Sequence, residues 1–443
     1  QEQAIAYYQA ALAVYSRSAY PEQWAVTKHN LVCIYNNHIQ GKKADNQEQA
    51  IAYYQAALAV YSRSAYPEQW AMTPNNLGLV YSERIQGERR DNLEQAIAYH
   101  EAALEVKTRS AYPEQWAETQ NSLGLVYSER IQGERRENLE QAIAYHEAAL
   151  KVRTRSAYPE QWAMTQHNLG LAYLKRIQGE RRENLEQAIA YYEATLEVYT
   201  RSTYPEQWAE TQNNLGNTYL YRIQGDRGEN LEQAIAYYEA VLQVRTRSIY
   251  PEKWAATQNN LAALYNNRIQ GKKAENLERA IAYSEATLEV YTRSAYPEKW
   301  AATQNNLAIA YLSSIRGERF SNLEQAIIYA EATLEVYSSS TYPEEWARTQ
   351  SNLANIYCQR IRGEQTENLE RAIAYNKAAL EVYTPSSYPE QWANTQHNLG
   401  VAYLSRLRGR TRQKLGKGNL LLQCCVRSQN SYCLSRTMGG NAK

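Results

Sequence analysis

The sequence predicts an all-α protein, a right-handed superhelical solenoid of stacked antiparallel helix pairs, on three observations. Nine tryptophans (Trp24, Trp70, Trp116, Trp162, Trp208, Trp254, Trp300, Trp346 and Trp392) stand 46 residues apart without an insertion or deletion. One structural unit has therefore been copied nine times. Within each copy the apolar residues recur at steps of three and four, the period of a helix. No segment alternates as a strand does, and the copies are punctuated at constant places by Tyr-Pro and by glycine.

The copy from Asp91 to Gln132 shows the logic. Asn92, with Gln95 three residues on, reads as the N-cap of a first helix. Leu93, Ala96, Ile97, Ala103 and Leu104 form one apolar face, and Ala98, Tyr99, Ala102 and Val106 lie beside it. A helix apolar on two sides needs neighbours on two sides, as inside a stack. This helix is expected to run to about Ser110, where Ala111-Tyr112-Pro113 breaks it. Pro113 suits the first position of a second helix, with Glu114 near its positive end. Trp116, Thr119, Leu123, Gly124, Tyr127 and Ile131 continue its apolar stripe. Gly124 permits close approach of a neighbouring helix, and Ala262, Ala308 and Ala354 take that place in later copies. Gly133 ends the helix before a short polar loop.

Trp162, Leu169, Gly170 and Tyr173 on one helix, then Ala188, Tyr192 and Thr195 on its partner, resemble the tetratricopeptide signature. The period departs from the usual 34 residues, so both helices and the loop are longer, as in kinesin light chains and many bacterial arrays. The recurring words YPEQWA and NLEQAI most resemble cyanobacterial repeat proteins, in which such arrays often precede a caspase-like CHAT protease domain. No such domain is present in these 443 residues. The resemblance covers residues 1–409. It implies a protein-interaction scaffold with its Trp-bearing helices lining a concave groove.

Charge excludes little by itself. The 48 basic and 47 acidic residues nearly cancel, which gives no electrostatic case for nucleic acid or a membrane surface. No apolar run approaches the ~18 residues of a span. An RNA-reading helical repeat would need a basic groove, and Glu83, Glu118, Glu129 and Glu210 fall at expected groove positions. Within the repeats Cys33 and Cys358 have no Cys-x-x-Cys partner, a usage that suits a reducing cytoplasm. The chain begins at Gln1 inside a repeat, which reads as a fragment.

Variation among the copies points to a binding surface. One, three and eleven residues after each Trp stand Ala, Thr and Tyr. The second, ninth and thirteenth positions vary and share one helical face. At the second position stand Val26, Met72, Glu118, Met164, Glu210, Ala256, Ala302, Arg348 and Asn394, and at the thirteenth Lys175 and Tyr221 among others. This is the expected groove face, although drift of any exposed stripe gives the same pattern. Six residues after each Trp come Asn30, Asn76, Ser122, Asn168, Asn214, Asn260, Asn306, Asn352 and Asn398. Asn costs a helix roughly 0.5 kcal/mol against Ala, so eight copies imply a use. The amide carries one acceptor and two donors, which suits a peptide backbone. The family has such a device, an asparagine ladder that grips extended peptides. With helices ~8–10 Å apart, one Asn would serve every third peptide residue. Hydrogen bonding between helices, or inheritance from a recent duplication, explains the same row.

No enzyme can be argued from the residues. His29 and Cys33 are four apart on one helix, but in other copies those places hold mostly Asn or Leu, and no third group is evident. His100 and His146 replace Tyr and read as packing variants. No cofactor and no metal is expected. The partner is expected to be protein, and the alternative role is the sensing half of a split or decayed CHAT-type protease.

After Gly409 the repeat wording is lost. Residues 410–443 carry seven Lys or Arg and no acid. Shifted by one nucleotide, a permitted back-translation restores a tenth repeat. Met438-Gly439 is the forced element: ATG-GGN shifted reads TGG, a Trp codon 46 residues after Trp392. The tail is therefore expected to be out of frame and without native structure, leaving the apolar face of the last helix to fray or self-associate.

Overall fold

The computed structural model describes residues 2–36 and 43–414. All described secondary structure is helical. The partner helices are α1 (Glu2–Val14), α3 (Lys43–Leu58), α5 (Arg89–Leu104), α7 (Arg135–Leu150), α9 (Arg181–Leu196), α11 (Arg227–Val241), α13 (Lys273–Leu288), α15 (Arg319–Thr333) and α17 (Gln365–Leu380). The Trp-bearing helices are α2 (Pro21–Asn36), α4 (Pro67–Glu83), α6 (Pro113–Glu129), α8 (Pro159–Lys175), α10 (Pro205–Tyr221), α12 (Pro251–Asn267), α14 (Pro297–Ser313), α16 (Pro343–Gln359) and α18 (Pro389–Lys414). The chain forms two compact units, residues 1–257 and 258–443, whose boundary falls inside α12.

Within each unit the main pairing joins a Trp helix to the helix that follows it, as α4 with α5, α6 with α7, α14 with α15 and α16 with α17. From α2 to α16 the first residue after the Trp is fully buried, as at Ala71, Ala117, Ala163 and Ala347, and so is the leucine seven residues after it, as at Leu77, Leu123, Leu169 and Leu353; in α18 Ala393 is exposed and Leu399 half-buried. Opposite them lie Leu93, Ala96 and Ile97 and their equivalents. Proline at the first helical position sets where each of these helices begins, because its missing N–H would be unpaired there in any case.

Gly124 is required by what faces it. A Cβ there would lie 2.5 Å from the His146 ring, and one on Gly170 would lie 2.6 Å from Tyr192. Where Ala replaces this glycine, as at Ala308 and Ala354, the facing residue shrinks to Ala330 and Asn376. Volume is thus conserved across the pair. The first copy departs from this rule, with Val32 and Tyr54 both buried in one core cluster.

The structure corrects several expected boundaries. The partner helix starts at Arg89, not after Asn92, and its N-cap residue Glu88 makes no side-chain cap. Asn92 instead lies buried in the first turn, where its Nδ2 donates to the Gln86 carbonyl (2.8 Å) and its Oδ1 accepts from Arg84 (3.2 Å). Gly87, at φ 78°, turns the chain early enough for this. The helix also ends at Leu104 rather than Ser110. Its last amides tighten to three-residue bonds, Glu105 N to Ala102 O and Val106 N to Ala103 O, and the Thr108 hydroxyl accepts from Ala111 N (3.3 Å). That local bond offers the backbone an alternative to helix. Ile131 lies past the end of α6 and is 59% exposed, so it is not part of the core stripe.

The repeat end expected at Gly409 falls inside α18, which continues to Lys414. Residues 415–443 of the expected tail lie outside the described residues, as do the side chains of His29 and Cys33.

Candidate protein-binding face

From α2 to α16 each Trp helix buries the residues one, three and seven places after its Trp, which leaves the opposite surface outward. Thr119 illustrates how a polar residue is tolerated in the buried set: its hydroxyl donates to the Gln115 carbonyl of the preceding turn at 2.9 Å. On the outer face, Met72, Glu118, Met164, Leu79 and Leu125 are exposed. Lys175 is exposed, and Tyr221 is 62% exposed. On the Trp helices, the varied second, ninth and thirteenth positions that are described thus lie at the surface, and the constant first and third positions are buried from α2 to α16. Glu210, Leu171, Asn217, Ile309 and Asn355 are only half-exposed on the same face.

The asparagine row has a different geometry. Asn168 and Asn214 are buried, and Ser122 takes that place in α6. The Nδ2 of Asn168 donates to Oδ1 of Asn121 on the preceding Trp helix at 3.1 Å. Asn306 donates in the same way to Asn259 and Asn352 to Asn305, both at 2.9 Å. Asn214 meets Nε2 of His167 at 3.3 Å. One acceptor is shared, since Asn259 Oδ1 also takes the Thr303 hydroxyl at 3.2 Å, and where Ser122 replaces the row's Asn, Asn75 Oδ1 takes the Thr119 hydroxyl at 2.8 Å. A polar relay thus runs between neighbouring Trp helices inside each unit. These four amides hydrogen-bond to a neighbouring helix, which meets the need of a buried polar group for a partner. For Asn168 and Asn214 the picture of a side chain held out to a peptide is corrected by their burial. Asn30, Asn76, Asn260, Asn306, Asn352 and Asn398 are half-buried along the same line. An amide that has given one N–H retains a second N–H and a carbonyl, so the half-buried members keep bonding capacity.

One feature of the site was missed in the sequence. Thirty-seven residues after each Trp stands a buried Tyr in several copies, whose hydroxyl donates to a carbonyl in the first turn of a Trp helix, as Tyr337 to Glu298 (3.0 Å). Lys107, Arg153 and Arg245 replace it, at 2%, 4% and 3% exposure. Arg245 pairs with Glu206 (2.9 Å) and with Glu210. Arg153 donates to the Thr165 hydroxyl (3.1 Å), and burial lowers the basicity of both Arg153 and Lys107 while Glu118 opposes that shift. Glu118 and Glu210 on the outer face are therefore counter-ions to buried cations. The signal in the sequence was the break from Tyr to Lys or Arg at one register, legible only once that register is known to be interior.

Burial also shifts the titration of the interior histidines and of Cys358. It holds His100 at about 4, His146 at about 3 and His167 at about 4, all below the ordinary range. The Cys358 thiol is pushed up to about 11, away from the reactive thiolate. No group of three or more metal-ligating side chains is brought together among the described residues. No described helix is long and apolar enough to cross a membrane.

Stacked helix pairs with a constant buried Leu, a facing glycine or alanine and a varied outer face define an α-helical repeat protein. The repeats are of the tetratricopeptide type. The tetratricopeptide repeat model matches residues 208–247 and 254–290, and the Sel1 repeat model matches 38–59, 75–105, 117–151, 163–195 and 301–332. No curated protein matches the chain in sequence. Among solved structures the chain is similar to a signal transduction ATPase with numerous domains that has a tetratricopeptide repeat sensor, from Pyrococcus horikoshii. That match has a TM-score of 0.52 at 18% identity and covers 85% of this chain and 54% of that one. The chain thus spans about half that protein's length, and the likeness concerns fold alone. The Cut9–Hcn1 hetero-tetramer of the APC/C matches at a TM-score of 0.42 and 15% identity, over 85% of this chain and 66% of that one. The P58(IPK) tetratricopeptide repeat domain matches at 0.30 and 12%, over 93% and 99%.

Proposed function

We propose that the chain is a non-catalytic scaffold that binds extended polypeptide segments on the outer face of its Trp-bearing helices, the side that the tetratricopeptide resemblance makes a groove. The observation that carries this reading is the coincidence of exposure with variation. The core positions repeat from copy to copy, while the second, ninth and thirteenth positions after the Trp are exposed or half-exposed wherever they are described, and are chemically diverse. In the first unit this face offers Leu79, Leu125 and Leu171 in neighbouring copies, flanked by Met72 and Met164, with Lys175 and Tyr221 farther on. Apolar anchors bounded by charge give affinity and register to a bound chain. The half-buried Asn306 and Asn352 supply backbone contacts at the edge of the face, and Asn168 and Asn214 hold neighbouring helices in register.

A random-peptide library selected against the full chain tests this. Selected peptides should lose at least about tenfold in affinity, about 1.4 kcal/mol, on Leu125→Ser with Leu171→Ser, with the helical circular dichroism unchanged. Asn306→Ala with Asn352→Ala should weaken binding, whereas Asn168→Ala and Asn214→Ala should chiefly lower the melting temperature. Peptide affinity indifferent to every one of these changes would remove the face from consideration.

A further inference from the structure

Every copy places an aliphatic residue fifteen positions after its Trp: Ile39, Ile85, Ile131, Ile177, Ile223, Ile269, Ile315 and Ile361, then Leu407. In the first unit Ile85, Ile131 and Ile177 are each 59% exposed and Ile223 is 60% exposed. From Ile85 to Ile361 this row belongs neither to the core nor to the face described above, because it lies in the loops beyond the helix ends, while Leu407 falls within α18. Its constancy is not that of the loop as a whole. The next position is Gln in early copies but Arg316 and Arg362 later, and the preceding Arg becomes Ser314. An exposed isoleucine that stays fixed while its neighbours drift implies contact with something.

The same edge carries a matching set of hollows. A cavity of about 520 Å³ is lined by Tyr127, Arg130, Glu134, Arg136, Asn138 and, from the following copy, Gln178. The next, of about 730 Å³, is lined by the equivalents Tyr173, Arg176, Glu180, Arg182, Asn184 and Gln224. Each hollow thus lies between successive loops, so that Ile131, hollow, Ile177, hollow and Ile223 alternate with the period of the repeat. A partner that fills this pattern must itself repeat with that period. A second copy of this chain does so. The hollows are also lined by both signs of charge, Glu134 beside Arg136 and Glu180 beside Arg182, which suits an edge meeting itself in an isologous contact. A lipid surface would call for a continuous apolar patch with basic excess, and this edge has single isoleucines set among balanced charges.

We propose that the loop edge carrying Ile131 and Ile177 pairs with the same edge of a second copy, the isoleucines of one entering the inter-loop hollows of the other. Sedimentation velocity of the full chain from about 1 to 100 µM tests it. The parent should show a concentration-dependent dimer. Ile131→Ser with Ile177→Ser should weaken it at least tenfold with an unchanged melting curve, as expected for exposed side chains. Arg136→Glu alters the hollow and not the knob, and should weaken the dimer too. Leu125→Ser with Leu171→Ser, on the Trp-helix face, should leave it intact, so failure of the peptide-binding reading is separable from failure of this one. A parent that stays monomeric throughout, or association that survives both edge variants, or a dimer dissolved only by the Leu125 and Leu171 changes, overturns the proposal.

Discussion

His146 is fully buried and makes one hydrogen bond, its Nδ1 lying 3.1 Å from Asn121 Oδ1, with the ring against the bare backbone of Gly124. His100 sits in the same place one copy earlier, with neither ring nitrogen hydrogen-bonded. A positive charge in such a site has no solvation to replace what water supplied. Burial therefore depresses both imidazoles, His146 to about 3 and His100 to about 4, against about 6.5 for an unfolded chain. The unfolded chain then binds more protons than the folded one between those values. Stability is full above about pH 6.5 and declines as pH falls toward the folded values. At pH 5 each such histidine costs about 2 kcal/mol. His146→Tyr, which imitates the Gly170–Tyr192 pair, should remove one share of that loss. Urea unfolding of parent and variant at pH 7.5 and 5 checks it: the gap between them should move by about 2 kcal/mol in the variant's favour on acidification. A parallel fall in both would mean that His146 is not the titrating group.

At the scale of helices and loops, what the sequence made legible is what repeats with helical period. Two helices per copy, the break at Tyr-Pro and the buried Leu and Ala positions were all readable, because each follows from burial pattern or from proline geometry. The boundaries were less so. Asn92 looks like a cap because Asn caps helices in general, but its buried amide bonds to Gln86 O and Arg84, a choice set by where the Gly87 turn delivers the chain. Ile131 continues the apolar stripe in the sequence, but the helix ends two residues before it. The Asn168 row was read for its amide chemistry, whose partner depends on how closely adjacent Trp helices pack, a tertiary quantity. The pairing of Gly170 with Tyr192 is the most direct instance of such packing. Gly170→Ala should cost about 1–3 kcal/mol through overpacking, even though Ala is the better helix former by about 1 kcal/mol. Adding Tyr192→Ala, which copies the Ala308–Ala330 pair, should recover part of that loss. The same substitution at Gly400, where an added Cβ meets nothing within 4 Å, should be neutral or stabilising. Thermal melts of the three variants decide it, and equal destabilisation by Gly170→Ala and Gly400→Ala would refute the packing account.

Across the whole chain, each copy touches chiefly its neighbours, so stability is close to a sum of repeat terms and interface terms. Within each copy the first helix is also tied to the end of its own Trp helix, at one recurring register. Arg130 pairs with Glu94 through its Nε and Nη2 (2.8 Å each), Arg176 with Glu140 and Arg222 with Glu186. Where Ser314 replaces this arginine, Glu278 is taken by Arg316 instead. The Arg130, Arg176 and Arg222 pairs are about a quarter exposed and the Arg316 pair more so, so each contributes modestly, on the order of 1 kcal/mol or less, and burial of Leu, Ala and Ile carries most of the cohesion. A cavity in one copy should therefore loosen that copy and those beside it, not the full length. Leu123 is fully buried at the centre of α6, and Leu123→Ala should cost about 2–5 kcal/mol. Hydrogen exchange should then quicken from α4 to α9, while α14 to α17, in the other compact unit, keep their protection. Loss of protection spread evenly from α3 to α17 would show that the array unfolds as one block, and that coupling beyond nearest neighbours outweighs the repeat-by-repeat terms.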